Sequence, residues 1–367
     1  MPSETATDYQ RRVLPHVSRT FALTVPQLPP PLGDIVSNAY LLCRIADTIE
    51  DDPGLAGAFK SEAHEEFLAV LRGAADGVAF GRRVAGRLAD TTPGHERELV
   101  READRVAEFT RALQPAEREI VLRCAAIMCR GMGAYQRNAS LAGLADQADL
   151  DRYCYCVAGV VGEMLTDLFA LHSPGVRQRR DEMLVLAPSF GEGLQLTNIL
   201  KDVWEDRRRG ACWLPRDRFA RHGVDLARVT PATAGDGFAR AMEETVAVAH
   251  GHLCNALDYT LMIPPGDTGM RRFCLWALGM AVQTLWRIHR GRGFTRGEQV
   301  KISRATVRAV IATTNASARH DRLLRGLFAL ATWRLPRQRP ELDPALSQWG
   351  GAGEPRPRAA AGEGARR

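Results

Sequence analysis

A five-residue pattern, D-x-x-E-D, occurs twice in the chain: Asp47-Thr48-Ile49-Glu50-Asp51, followed at once by Asp52, and Asp202-Val203-Trp204-Glu205-Asp206. Both copies sit in stretches whose apolar residues recur with helical rather than strand spacing. On a helix, positions four apart share a face, so Asp47 points with Asp51 and Asp202 with Asp206. Like charges at that spacing weaken an isolated helix by about 0.2–0.5 kcal/mol per pair. One such cluster is what a solvated acidic face looks like. Two of the same form, each embedded in apolar sequence, point to a site for cations.

The residues leading into each cluster extend it. Tyr40, Arg44, Asp47 and Asp51 fall at i, i+4, i+7 and i+11; Gln195, Asn198, Asp202 and Asp206 fall at i, i+3, i+7 and i+11. Leu41, Leu42 and Ile45 surround the first polar stripe, and Leu194, Leu196, Ile199 and Leu200 the second. Buried charge is too costly to keep unpaired, so each stripe needs partners. Oxygen ligands with few His or Cys nearby favour Mg²⁺ over zinc, and Mg²⁺ takes one or two carboxylates plus substrate phosphates. The residues therefore predict two facing helices that hold Mg²⁺ and a diphosphate.

Strand alternation is scarce, and no G-x-G-x-x-G follows a strand, so no Rossmann domain is expected. The first acidic helix should run from Leu32 to Asp51 and stop at Pro53-Gly54. Several amphipathic helices follow over residues 55–150, one of them over residues 118–135, where Gly131 and Gly133 allow close approach. In residues 153–169, Val157, Val161 and Leu165 form an apolar line beside the small Ala158, Gly159 and Gly162. Tight helix packing and the wall of an apolar tunnel both fit; the flanking acid clusters favour the tunnel. Glu163 and Asp167 should face solvent or arginine partners. His222, His250 and His252 make no metal-like i, i+4 pair and read as structural.

Composition narrows the partners and the compartment. The formal charge is +6, but the excess lies in residues 177–180, 207–209 and the tail rather than in one aromatic-interleaved patch. That disfavours nucleic acid and favours an anionic lipid surface or diphosphate groups. The eight cysteines contain no C-x-x-C pair, as befits buried thiols in a reducing compartment. Residues 1–12 lack an apolar signal core, and no run of about 18 uncharged apolar residues appears. The expectation is a cytoplasmic protein without a transmembrane segment, peripheral to the inner face of the membrane. One domain should occupy residues 1–336, and the Pro/Arg/Gly/Ala-rich residues 337–367 should be disordered.

Four ordered motifs carry a resemblance: residues 18–21 (SRTF), 40–52 (YLLCRIADTIEDD), 153–162 (YCYCVAGVVG) and 195–206 (QLTNILKDVWED). Together they resemble the squalene/phytoene synthase family, in its order, from about the tenth residue into the last third of the chain. The resemblance implies an all-α, single-domain bundle of a dozen or so helices around a central apolar cavity. It assigns Asp47, Glu50, Asp51, Asp202, Glu205 and Asp206 to Mg²⁺, with the four aspartates also catalytic. Ser18 and Arg19 go to the diphosphate, where residue type alone gives a helix cap and a surface arginine. Tyr40, Arg44, Gln195, Asn198 and Lys201 go to substrate. Tyr153 matches a tyrosine that removes a proton or stabilises a cation; a buried tyrosine satisfying a hydrogen bond is the competing reading. Phe21, Val157, Val161, Leu165 and Phe273 are the implied tunnel.

The segment after residue 270 resembles the squalene-forming branch of the family. Phe273-Cys274 precedes Met280-Ala281, and Val300-Lys301-Ile302-Ser303-Arg304 follows. Lys301 and Arg304 would then meet NADPH phosphates, although Ala277 stands where that branch commonly has proline. The implied reaction joins two farnesyl diphosphates head to head into presqualene diphosphate and reduces it with NADPH. The alternatives are a member without the reductive step, of dehydrosqualene or phytoene type or releasing presqualene diphosphate or an alcohol, and a catalytically dead scaffold. The intact acid clusters speak against the scaffold, and Mg²⁺-dependent turnover would exclude a helical lipid-binding protein.

Overall fold

A computed structural model describes residues 4–18 and 20–342. Among them are seventeen α-helices and no strand; the one β-bridge joins Leu144 to Pro215. The fold is all-α, as expected. The first acidic helix spans Leu32–Asp51, the bounds its sequence predicted. It ends because Asp52 turns extended, and the Asp52 carboxylate then accepts from Gly54 N at 2.8 Å, Ala89 N at 3.0 Å and the Thr92 hydroxyl. The sixth residue of that acidic run is therefore a loop anchor.

The second acidic helix, Arg180–Arg208, is the longest element. It packs along Asp236–Met262 on one side and Val160–His172 on another. Two hydrophobic clusters result. One gathers around the first acidic helix, the other around the second, and Phe190 packs against both. This places the two acid patterns on separate walls of one bundle.

Residues 147–172 are the central helix, and they depart from regular spacing. Gln147–Cys154 and Val160–His172 are α-helical, with a π-helical turn at Tyr155–Gly159 between them. Such wide turns are frequent at functional sites. The space beside Gly162 is filled by packing rather than left open to a tunnel. A Cβ on Gly162 would overlap the Ala187 carbonyl, and one on Gly191 the Ala158 carbonyl, so the second acidic helix lies backbone to backbone on this segment. Gly162→Ala should cost about 1–3 kcal/mol through overpacking, read as a lower urea midpoint at unchanged slope. An unchanged midpoint would show that the two helices can separate freely.

Among the described residues, Gln147–His172 is the one helix long and apolar enough to cross a membrane, and 67% of its apolar window is buried in the bundle. It is a core helix. Glu163, expected near solvent or arginine, is buried and meets Arg123 at 3.0 Å and the Tyr155 hydroxyl at 3.1 Å. Asp167 meets Arg180 at 2.7 Å. The three histidines have structural contacts: His222 with Glu244, His250 with the Pro336 carbonyl and His252 with Ser189. The Gln338 amide donates to the Ala247 carbonyl at 3.0 Å, so the backbone is held two residues past the expected boundary at 336. Residues 343–367 of the segment expected to be disordered lie outside the described residues.

Candidate active site

The two acidic helices open onto one cavity of about 390 Å³. The first contributes Arg44, Asp47, Glu50 and Asp51; the second contributes Gln195, Asn198, Lys201, Asp202 and Asp206. Tyr153 and Val157 line its inner end together with Met128 and Met132, and Trp213 and Arg209 complete its wall. The helical period thus delivers both polar stripes to the same space.

Electrostatics favour positive charge in this space. Burial, then the neighbouring Asp51, pushes the Asp47 carboxyl up to about 7. Burial, then Asp202, does the same for Asp206, also to about 7. Asp51 and Asp202 are raised as well, burial again leading. The nearby cations only partly offset this. Arg44 is paired with Glu96, Lys201 Nζ lies 3.1 Å from Asp202 and 3.3 Å from Asn198 Oδ1, and Arg209 reaches Asp51 at 3.9 Å. Four acids that resist ionising together are stabilised by divalent charge. Among the described residues no three acids, histidines or cysteines converge into a closed metal cage. Hard oxygens on opposite walls with space between them fit Mg²⁺ completed by ligand oxygens.

A pH dependence follows. A free aspartate titrates near 3.9, so between about pH 4 and 7 the folded chain retains protons the unfolded chain has lost. Metal-free stability therefore falls as pH rises through that window. Relative to an Asp47→Asn/Asp206→Asn variant, the metal-free wild type should lose on the order of 5 °C in Tm between pH 5.5 and 8. Mg²⁺ at pH 8 should restore it. A pH-independent difference between the two proteins would contradict the arrangement.

An aromatic stack closes the inner end. The Tyr153 ring lies flat on Trp213 with centroids 4.3 Å apart, and Tyr135 meets Tyr153 edge-on at 5.3 Å. Burial, with Cys154 and the acids Asp51, Asp206 and Asp47 nearby, raises the Tyr153 phenol well above its ordinary value. Tyr153 is a neutral phenol at any working pH.

Residues 14–306 match the profile of the squalene/phytoene synthase family. The chain belongs to that family. It is 30% identical over 298 residues to the squalene synthase ERG9 of Candida albicans, covering 79% of this chain and 63% of that one. It is 30% identical over 315 residues to the squalene synthase BSS of Botryococcus braunii, covering 83% and 63%. The chain thus spans less than two thirds of the length of these relatives. Its fold is that of TcSQS in complex with the ligand BPH1237 (TM-score 0.72, 23% identity, 94% of this chain and 95% of that one). It is also that of a dehydrosqualene synthase (TM-score 0.63, 21% identity, 85% and 95%).

Within this member of the family the other expected site residues divide. Glu205 departs from expectation: it accepts from the Gly297 amide at 3.0 Å and pairs with Arg208 at 3.1 Å, and it does not line the cavity. The Gly297 loop takes its Oε1, while its Oε2 is buried with no hydrogen-bond partner. Glu50 does line the cavity, but it is 5% exposed, 3.4 Å from His64, and its carbonyl receives the buried Lys60. Ser18 Oγ accepts from Phe21 N at 3.0 Å, a local contact just past the first helix; Arg19 lies outside the described residues. Tyr40 donates to the Val17 carbonyl at 3.1 Å. Phe21 packs on Tyr40 and Phe273, and Phe273 on Phe169, while Val161 and Leu165 are half-buried against the same cluster. Lys301 and Arg304 are exposed and do not line the cavity, but their loop rests on the second acid cluster: a Cβ on Gly297 would lie 3.0 Å from Asp202 Oδ1.

Sequence reasoning missed Glu96, Trp213 as a wall residue, and the π turn. Glu96 lies 52 positions from Arg44, and only the tertiary fold joins them. Trp213 carried a usable signal, an indole seven residues after Asp206 in a turn ending at Pro215.

Proposed function

We propose that this family member is a squalene synthase: a Mg²⁺-dependent prenyltransferase that joins two farnesyl diphosphates head to head and reduces the product with NADPH. The observation that carries the reading is a single cavity with an acid cluster on each wall and an apolar, aromatic inner end. Asp47, Asp51, Asp202 and Asp206, with Glu50 behind them, would hold Mg²⁺, which supplies the charge that stabilises a departing diphosphate. Arg44, Lys201 and Arg209 add cationic charge at the same mouth. Gln195 and Asn198 orient the diphosphate oxygens.

Loss of diphosphate from the first farnesyl group leaves an allylic cation, and the second molecule's double bond attacks it. A proton then leaves carbon to close the cyclopropane of presqualene diphosphate. A neutral Tyr153 can take that proton only while passing its own to an oxygen of the released diphosphate, so the phenol works as a relay. Phe21, Val157, Val161, Leu165 and Phe273 exclude water, which would otherwise trap the cations as alcohols. Lys301 and Arg304 would hold the phosphates of NADPH, the hydride donor, on the loop that rests against Asp202 and Glu205. The second reading stops before reduction, and the observation favouring it is that Lys301 and Arg304 are absent from the cavity wall. On either reading the protein works in the cytoplasm at the inner, anionic face of a membrane, into which so apolar a product must pass.

The test is incubation of the purified chain with farnesyl diphosphate and Mg²⁺, with and without NADPH, and mass spectrometry of the extracted lipid. Squalene that appears only with NADPH is the expected result. Dehydrosqualene or presqualene diphosphate regardless of NADPH selects the second reading. No product from farnesyl or geranylgeranyl diphosphate would contradict both.

A further inference from the structure

The last two described helices, Arg304–Ser317 and Asp321–Thr332, pack on one another and on Thr268–Arg290. On the second, Leu324 is 4% exposed, and Phe328 and Ala331 pack against the core. A helix buried along one stripe is ordinarily polar on the other. This one carries large apolar side chains there too, beside the exposed Arg322 and Arg325. Leu323, Leu330 and Trp333 are 48%, 71% and 69% exposed, with Gly326 and Ala329 also exposed. At helical spacing Gly326, Ala329 and Trp333 fall away from Leu324 and Phe328, and Leu323 and Leu330 share the adjoining flank.

Arginine surrounds that face. Arg319, Arg322, Arg334, Arg337 and Arg339 are exposed, and the Arg334 guanidinium lies 4.5 Å over the Trp333 ring. Residues 301–342 hold nine Lys/Arg and two acids, a charge of +7, against +6 for the whole chain. The basic excess of the protein is therefore concentrated at this end. Of the two acids, Asp321 is committed to the buried Arg271 at 2.6 Å. Single exposed leucines are ordinary on any surface. Three large apolar side chains on one helix face, ringed by arginine, call for a partner that is apolar and anionic together.

A second copy of the chain would set +7 against +7. An apolar protein groove would leave the guanidinium groups without partners. An anionic bilayer satisfies both demands: leucines enter the acyl boundary, tryptophan sits at headgroup depth, and arginines meet lipid phosphates. We propose that the face of Asp321–Thr332 bearing Leu323 and Leu330, continued by Trp333, docks on an anionic phospholipid bilayer with the helix lying in the plane of the surface. The inference rests on the lipid-surface location in the functional reading above and is independent of the chemistry in the cavity.

The test is co-sedimentation of the full chain with vesicles of phosphatidylcholine, with and without about a third phosphatidylglycerol, at low and high salt. The wild type should bind the anionic vesicles and be released by salt. Leu330→Glu/Trp333→Glu should lower the partition coefficient at least about tenfold. Arg322→Gln/Arg334→Gln, which leaves the apolar face intact, should lower it about tenfold on anionic vesicles and leave binding to neutral ones unchanged. Both variants should keep the wild-type circular dichroism and the wild-type turnover of substrate in detergent. Wild-type protein that fails to bind, or variants that bind like wild type, would overturn the proposal. So would a wild-type dimer that Leu330→Glu/Trp333→Glu converts to monomer without vesicle binding, which assigns the face to a second copy. Absence of prenyl transfer alongside normal vesicle binding would sink the catalytic reading and leave this surface standing.

Discussion

Asp202→Asn should lower kcat with farnesyl diphosphate by about a thousandfold, with the fold intact. The substitution keeps shape and removes one negative charge from a cluster whose purpose is to gather positive charge. Asp202 is 37% exposed at its side chain and anchors no backbone amide among the described residues, so its loss has little structural cost. Relief of its repulsion with Asp206 should slightly raise metal-free stability. The Asp52→Asn variant is the informative contrast. Asp52 carries a charge six residues into the first run, but it holds Gly54, Ala89 and Thr92, so its loss should lower stability before it lowers kcat. Single-turnover kinetics beside thermal melts separate the two. An Asp202→Asn enzyme retaining more than about a tenth of wild-type kcat would place the metal elsewhere.

Tyr153→Phe should cost about a hundredfold in the ring-closing step while leaving substrate affinity unchanged. Phenylalanine preserves the stack on Trp213 and the edge contact with Tyr135. What is lost is the hydroxyl, and with it the path by which a proton leaves. Because the phenol lies far above its ordinary range, no phenolate limb should appear in the wild-type pH profile. Its acid limb should instead follow the acid clusters, whose metal-free carboxyls burial and mutual repulsion hold up at about 7 and whose ionisation Mg²⁺ draws to lower pH. The expected signature is a shift of product toward alcohols or uncyclised material. A variant with wild-type product and rate would reduce Tyr153 to a wall residue.

The sequence made the acidic helices legible because two independent signals agreed there. Apolar spacing fixed the helix over Leu32–Asp51, proline and glycine fixed its end, and four-residue spacing put Asp47 with Asp51 and Asp202 with Asp206 on one cavity. Spacing could not settle Glu205, which shares the helix turn with Asp202 but is held by Gly297 from a distant loop. Nor could it show Glu96 opposite Arg44, since no local pattern encodes a partner 52 residues away. The glycines of the central helix were ambiguous for a physical reason: a missing side chain makes room for a ligand or for another backbone with the same residue type. At Gly162 the Ala187 backbone occupies that room. The π turn at Tyr155–Gly159 has no residue-type signature, and the apolar outer face of Asp321–Thr332 is visible only once its inner face has been packed.

The central claim is that the two acid clusters act as one Mg²⁺–diphosphate site. It is tested most directly by calorimetric binding of farnesyl thiodiphosphate, which resists ionisation, to wild type, Asp47→Asn and Asp202→Asn with and without Mg²⁺. The expected result is Mg²⁺-dependent binding to wild type that either substitution, on either helix, weakens at least about tenfold. Binding that ignores Mg²⁺, or that depends on one cluster and not the other, would contradict the account.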